Sequence, residues 1–514
     1  MAISNPGGNL NSVPAPTKQT QNSNYLDLTG TTASTNWAQQ YVPDLMEKEA
    51  EVFGNRTISG FLAQVGAEES MTADQVVWSE QGRLHLSYIG NVKDHQNQDH
   101  NNNEPGGTIE IDTDIDGNAT STSAIDHGIR VNDLLLVASS QYTTQCIVTA
   151  VSADDVCVAV YNAGNTAGDL EDVGFAATDT VTVMVYGSEY AKGRKYYDDA
   201  PAAGNTGDEV GYRQSNEPQF KSFSNKPIII KDYYSVSGSD ASRIGWVEVS
   251  QEDGTSGYLW YLKAESETRM RFTDHLEMAM LESIKVTTAN SEVDQFLSGA
   301  DTDGGNWGTQ GLFSAIEDRG NITTGVTGVN AATDLAEFDA ILAEFDNQGA
   351  IEENMLFVNR STSLAIDDML ASMNSYGAGG TSYGVFSNSE EMALNLGFSG
   401  FRRGSYDFYK SDFRYLNDKA TRGGINSRDT VNAIRGVIVP AGVSSVYDQL
   451  LGKNMKRPFL HVRYRASQTD DRRLKTWITG SVGAATSALD AMEIHMLSER
   501  CFITQGANNF MLMK

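Results

Sequence analysis

The sequence predicts an α+β chain that carries a small all-β unit, and three observations support this. Short apolar runs with a period of two fill residues 71 to about 236. Helical periodicity dominates the middle of the chain, and strand patterns return towards its end.

Taken in order, residues 1–40 are rich in Asn, Gln, Ser, Thr, Gly and Pro, with few apolar side chains. Such a stretch cannot offset its ordering entropy by burial, so it is expected to be an extended arm that orders against a partner. A helix is expected from Pro43, with Leu45, Glu49 and Val52 or Phe53 at helical spacing and Gly54 as its stop. Leu84, Leu86 and Tyr88 then alternate with Arg83, His85 and Ser87, as in a half-exposed strand.

The stretch "IEIDTDIDGNAT", 109–120, puts four acids and a glycine close together. Asp112, Asp114, Asp116 and Gly117 fit the opening of a calcium loop, but Ser123 stands where the bidentate Glu belongs. The period of two gives the favoured reading. Ile109, Ile111, Thr113 and Ile115 face a core, Glu110, Asp112, Asp114 and Asp116 face water, and "DGN" turns the chain. With "DLLLVAS", "QCIVTAVS", "VCVAVY" and "TVTVMVYG", this makes a series of short strands at regular spacing, the mark of a small sandwich or barrel. Polar linkers flank it, so it reads as an insertion between two halves of a longer hairpin.

The second half opens on "GYLWYLKAESETRMRFTDHLEMAMLESIK", a long helix with Phe272, Leu276, Met280 and Ile284 in an i, i+4 stripe. Glu265/Arg269 and Glu267/Arg271 stand in the favourable order for ion pairs. In "TDLAEFDAILAEFDNQG", Leu335, Phe338, Ile341, Leu342 and Phe345 share one face, with Thr333 or Asp334 as cap and Gly349 past the end. "NMLFVN" is a buried strand, and "STSLAIDDMLASM" a helix capped by Ser361. The run 376–405 is loop-like, and "NAIRGVIVP", "PFLHVRYR", "LKTWITGSV" and "AMEIHML" are strands.

With 38 Lys+Arg against 67 Asp+Glu, the net charge of −29 argues against simple electrostatic binding to nucleic acid or an anionic membrane. The charge is concentrated: residues 94–209 hold 20 acids against Arg130, Lys192, Arg194 and Lys195. Cys146, Cys157 and Cys501 are too few for a disulfide framework or a four-ligand zinc site and read as small buried residues. No signal peptide is visible and no apolar run approaches the roughly twenty residues of a membrane helix. The expectation is a soluble chain of a reducing cytoplasm.

No G-x-S-x-G, H-E-x-x-H, C-x-x-C or strand-to-helix G-x-G-x-x-G occurs, so no enzyme is expected and no catalytic, cofactor-binding or metal-ligating residue is nominated. His95 and His100 each follow an Asp in an amide-rich linker and read as solvated. Asp367 and Asp368 are neighbours on a helix, pointing about 100° apart, which suits no shared-proton dyad. His275 and His495 read as packing residues, and Arg402 and Arg403, in "GFRRGS", as a solvated turn.

The order of elements is the most specific signal: polar arm, helix, long hairpin with an insertion, long helix ending "LEMAMLESIKV", "GTQGLFSAI", "TDLAEFDAILAEF", "NMLFVNRSTSLAIDDML", then strands. It resembles the major capsid proteins of tailed double-stranded DNA bacteriophages, which have the Hong Kong ninety-seven fold, and among them crAss-like or related marine phages. The chain lacks the Gly usual after the long helix and the Pro before "GL".

The resemblance implies an N-terminal arm (1–40), a helical region (41–70), an extended hairpin, the E-loop (71–100 and 191–236), and an acidic β insertion domain (101–190). A spine helix and peripheral domain (237–360), an axial domain (361–440) and C-terminal strands (441–514) follow. It implies a shell subunit that assembles with itself into hexamers and pentamers, made in the host cytoplasm and located in the virion. Portal, scaffolding and head-decoration proteins are its expected partners, and the shell encloses double-stranded DNA without sequence-specific binding.

Contact surfaces are then expected at the arm, at the hairpin around 78–88 and at the loop 376–403. Some family members crosslink a hairpin Lys to an Asn; Lys93 lies near the hairpin, but no matching motif accompanies it. An acidic bacterial surface-layer or adhesin protein is the alternative, and a carbohydrate-active enzyme with paired carboxylates a third reading.

Overall fold

The computed structural model describes residues 67–81, 85–95, 106–115, 117, 119, 127–162, 169–190, 192, 220–241, 248–250, 256–286, 292–298, 307–349, 351–373, 400–429, 431–441, 443–448, 453–482 and 486–514. The expected arm, the expected helix from Pro43 and residues 376–399 of the expected loop lie outside these residues. The chain divides into two compact units, Ser79–Ser222 and the remainder.

In the unit Ser79–Ser222, six antiparallel strands close into a barrel in the order Ser87–Asp94, Gly107–Asp114, Asp155–Val160, Thr143–Ser152, Asp133–Ala138 and Thr180–Ser188. Alternation explains the closure, because every second residue is apolar and small enough to fill a narrow interior. Val92, Ile109, Ile111, Leu135, Val137, Val148, Val156, Val158, Val181 and Val183 line it, each at most 1 % exposed.

The acidic strand follows its predicted period as far as Asp114. Ile109 and Ile111 are inside, Thr113 is half-buried, and Ile115 is 44 % exposed because the strand has ended. Gly117, at φ +84°, donates its N–H to the Asp114 carbonyl at 3.0 Å, and Thr113 bridges to Ala119, so the chain turns there. Strand Ser87–Asp94, within the segment expected to be hairpin, is a wall of this barrel. Its pairing slips between Ile89 and Gly90, where a Cβ on Gly90 would lie 2.3 Å from the Glu110 carbonyl oxygen.

In the other unit a mixed six-stranded sheet runs Asn321–Thr323, Met511–Met513, Gly436–Pro440, Glu353–Val358, Tyr406–Asp412 and Gly400–Arg403. Its central strand Gly436–Pro440 is buried throughout, as expected when both faces are covered. Helices Ala331–Gln348 and Arg360–Met373 cover one face through Phe338, Ile341, Phe345, Ile366, Met369 and Leu370. On the other, Phe357, Val437, Val439 and Leu512 join Met280 and Leu281 from the end of helix Leu259–Glu282.

A second, five-stranded sheet is built around Ala491–Thr504. Ile228–Ser237 pairs with it antiparallel, Lys475–Gly480 and Leu460–Arg465 also pair with it antiparallel, and Ala67–Met71 adds parallel to Leu460–Arg465. The long helix meets this sheet through Phe272 and Leu276 against Met496 and Ile230.

Three local expectations are corrected. The helix ends at Glu282, so the stripe Phe272, Leu276, Met280 stops short of Ile284, which is 71 % exposed. Asn330, rather than Thr333 or Asp334, caps Ala331–Gln348, accepting from the N–H groups of Ala332 at 3.1 Å and Thr333 at 3.0 Å. Asp334 is instead buried and accepts the Gly328 N–H at 2.8 Å. Asn359, not Ser361, caps the next helix by accepting the Thr362 N–H at 2.8 Å. Gly349 does end its helix, at φ +70°.

Candidate assembly surfaces

The residues weighed for chemistry are dispersed. Asp367 turns inward to an ion pair with Lys410 while Asp368 faces solvent. His275 is exposed on the long helix rather than packed. His95 is half-buried with its carbonyl accepting from Glu171 N–H at 3.0 Å, and His100 lies outside the described residues. All three cysteines are free and buried, and burial pushes the thiols of Cys146 and Cys501 up to about 12. Among the described residues no group of three or more His, Cys, Asp or Glu could hold a metal ion. No described helix is long and apolar enough to cross a membrane.

"GFRRGS" is a strand end rather than a plain solvated turn. Arg403 donates to both Asp339 oxygens, Nη2 to Oδ2 at 2.6 Å, which raises its pKa. Arg402 lies 3.6 Å from Asp407, and Gly404, at φ +61°, makes the turn. Lys93, on the barrel, donates to Asp155 at 2.8 and 2.9 Å, and that hydrogen bond raises its pKa.

The hairpin expected to offer a contact surface around 78–88 is partly internal. Val76–Gln81 pairs with Phe220–Asn225, so the chain leaves one unit and returns through a two-stranded neck. Trp78 packs on Phe223, and the Arg319 guanidinium lies 5.6 Å from the Trp78 ring centre and 4.3 Å from that of Phe223. Asn225, 1 % exposed, ties the base of the neck down. Its amide donates to the carbonyls of Gln310 at 3.0 Å and Phe502 at 2.5 Å, and its Oδ1 accepts from the N–H groups of Gln310 and Lys226, both at 2.9 Å. Tyr88 is buried in the barrel, its hydroxyl accepting from Gly128 N–H at 2.6 Å, and burial raises its pKa.

Sequence reading missed two features of the five-stranded sheet. The first is a charged lattice that holds strand Ala67–Met71. Glu68 pairs with Arg473 and Arg500, Glu69 with Arg463 at 3.3 Å, Asp74 with Arg465, and Glu499 with Arg465 at 2.7 Å and Arg472 at 3.1 Å. Its signal was the alternation Arg463, Arg465 followed by Arg472–Arg473, whose acidic partners lie some four hundred residues away in sequence or on a neighbouring strand. Desolvation by burial lowers the pKa of Arg500.

The second is a ladder of rings on the sheet face opposite the long helix. Tyr233, His495 and Trp477 stand directly across three strands, since both Tyr233 and Trp477 pair in register with His495. Ring centres are 6.0 Å and 5.2 Å apart at interplanar angles of 25° and 18°. The imidazole Nε2 is 2.7 Å from Thr479 Oγ1 and 3.3 Å from a Glu493 oxygen. One register step away, Lys475 and Lys231 flank Leu497. His495 is thus a packing residue as expected, though its packing partners are themselves at the surface: Tyr233 is 61 % exposed and Trp477 36 %.

No protein-family model matches the chain, and no curated protein does. Solved structures that it is similar to include one from Microbacterium phage Oxtober96, at 8 % identity, TM-score 0.36, covering 93 % of this chain and 97 % of that one. Another is the capsid of a native GTA particle, at 10 % identity and TM-score 0.34, covering 94 % and 98 %. A third is the capsid of cyanophage P-SCSP1u, at 8 % identity and TM-score 0.31, covering 62 % and 80 %. At these TM-scores the likeness fixes neither fold nor role, and none of the three names bears on the crAss-like affinity.

Proposed function

We propose that this chain is the major capsid protein of a tailed double-stranded DNA bacteriophage, a structural subunit that assembles with itself into the hexamers and pentamers of an icosahedral head. One observation carries the reading: the order and pairing of its elements. A polar N-terminal stretch is followed by a strand joined to the C-terminal strands, then by a neck that carries a barrel, and then by a 24-residue helix laid on the sheet those C-terminal strands complete. Neck and barrel fall in sequence between Ala67–Met71 and Ile228–Ser237 of the five-stranded sheet, where the resemblance sets a hairpin with its insertion. In this reading the E-loop is 71–100 and 191–236 around the insertion 101–190, the spine helix and peripheral domain are 237–360, with Leu259–Glu282 as the spine helix, and the axial domain is 361–440.

The role is non-enzymatic. The net charge of −29 suits a shell inside which DNA slides without being held. Portal, scaffolding and decoration proteins are the partners such a role brings, and the virion is its location.

Negative-stain electron microscopy with light scattering of the purified chain, alone and co-expressed with its neighbouring genes, tests the reading. Capsomers, tubes or closed shells are expected. A monomer under every condition, co-expression included, would overturn it.

A further inference from the structure

A strand at the edge of a sheet turns every second N–H and C=O away from its neighbour, a ready template for another chain. Short edges offer little to pair with, and most edges of the two large sheets are short. Asn321–Thr323, Gly400–Arg403, Ala67–Met71 and Lys475–Gly480 run three to six residues. Ile228–Ser237 is the exception. It runs ten residues and pairs with Ala491–Thr504 along all of them without a slip, while among the described residues no strand lies along its other side. The side chains beside that edge would favour an added strand. Ile229 is 53 % exposed and Tyr233 61 %, so cross-strand contacts would join the backbone hydrogen bonds.

One contact stands against this at mid-strand. The Tyr233 N–H donates to Asp232 Oδ1 at 2.9 Å, and Lys231, on the other side of Asp232, is exposed. We infer that this N–H is one of those turned away from the sheet, and that Asp232 guards the edge: its carboxylate fills the place of an incoming carbonyl and keeps two copies from pairing along Ile228–Ser237. A second strand would have to displace the carboxylate from its donor or bury it between two backbones, and a buried charge without a partner costs more than the hydrogen bond gained. The contact is therefore autoinhibitory. It goes beyond the shell reading and does not depend on it.

Sedimentation velocity of the full-length chain over a wide range of concentration, wild type beside Asp232→Ala, tests the guard. The variant is expected to form larger species at about tenfold lower concentration than wild type, the worth of one hydrogen bond. Ser235, two residues on, presents its N–H to the same side of the strand as Tyr233. A proline there removes an outward donor and no bond to Ala491–Thr504, so Asp232→Ala/Ser235→Pro is expected to return to wild-type behaviour.

An Asp232→Ala chain that sediments as wild type does at every concentration would overturn the inference. So would association that the proline leaves untouched, since it would run through another surface. If the alanine variant does not fold, hydrogen exchange of the wild-type chain, resolved to single amides, decides. A slow Tyr233 amide between fast Lys231 and Ser235 amides supports the guard. Three slow amides would mean that the edge is covered or that these groups face Ala491–Thr504, and three fast ones that Asp232 does not hold the donor; either overturns it.

Discussion

Lys410 and Asp367 form an almost fully buried ion pair between two elements. Their side chains are only 6 % and 10 % exposed, and Lys410 also reaches the Ser363 carbonyl at 3.2 Å. Such a pair adds little over a hydrophobic replacement but costs much to halve. Lys410→Met should therefore destabilise by about 3–5 kcal/mol, and Lys410→Met/Asp367→Leu should recover most of that loss in denaturant unfolding. Asn225→Leu is expected to be damaging for a different reason. It strands the carbonyls of Gln310 and Phe502 and the Gln310 N–H, at about 1–3 kcal/mol for each buried group left without a partner.

The buried thiols make stability pH-dependent. Cys146 rises from 9.0 to about 12 in the folded barrel, so the folded state holds its proton more tightly than the unfolded chain. Its contribution is complete below pH 9 and is lost as pH climbs towards 12, at about 1.4 kcal/mol per pH unit. Thermal unfolding of the barrel should weaken across that window, and Cys146→Ala should flatten the decline.

For the elements, caps and slips in register decide more than propensity. Asn330→Ala should cost about 1 kcal/mol, since two N–H groups lose their acceptor. Gly90→Ala should cost the barrel far more than a helix propensity change would, because the added methyl meets the Glu110 carbonyl at 2.3 Å. Urea unfolding of each variant measures both.

These elements also show how far reading the residues in order can go. The barrel strands and the faces Phe338, Ile341, Phe345 and Phe272, Leu276, Met280 were apparent, because periodicity is a local property and burial follows it. Asn330 and Asn359 were passed over for neighbours of equal intrinsic merit, since capping depends on which residue leaves helical geometry first. Glu68–Arg500 and the Tyr233–His495–Trp477 ladder were invisible, because both depend on strand pairing between distant segments, which no local pattern encodes. The Arg319 contact with Trp78 and Phe223 was hidden in the same way, its three members coming from separate parts of the chain.

For the molecule as a whole, the barrel owns its core and forms a compact unit apart from the rest. Full-length chain should therefore unfold in two calorimetric transitions, and a fragment spanning 79–222 should retain one of them; a single shared transition would refute this. The five-stranded sheet makes the opposite demand. Its strand Ala67–Met71 lies beside Leu460–Arg465, which is itself held by Ala491–Thr504. During synthesis, then, the barrel emerges whole while the sheet that flanks it in sequence is still missing its centre. At roughly 5–20 residues per second, the wait for the last strand runs to tens of seconds. Through that interval the nascent chain presents Ala67–Met71 with no strand to receive it, so the ribosome-bound intermediate should be a client of chaperones until the final strands emerge.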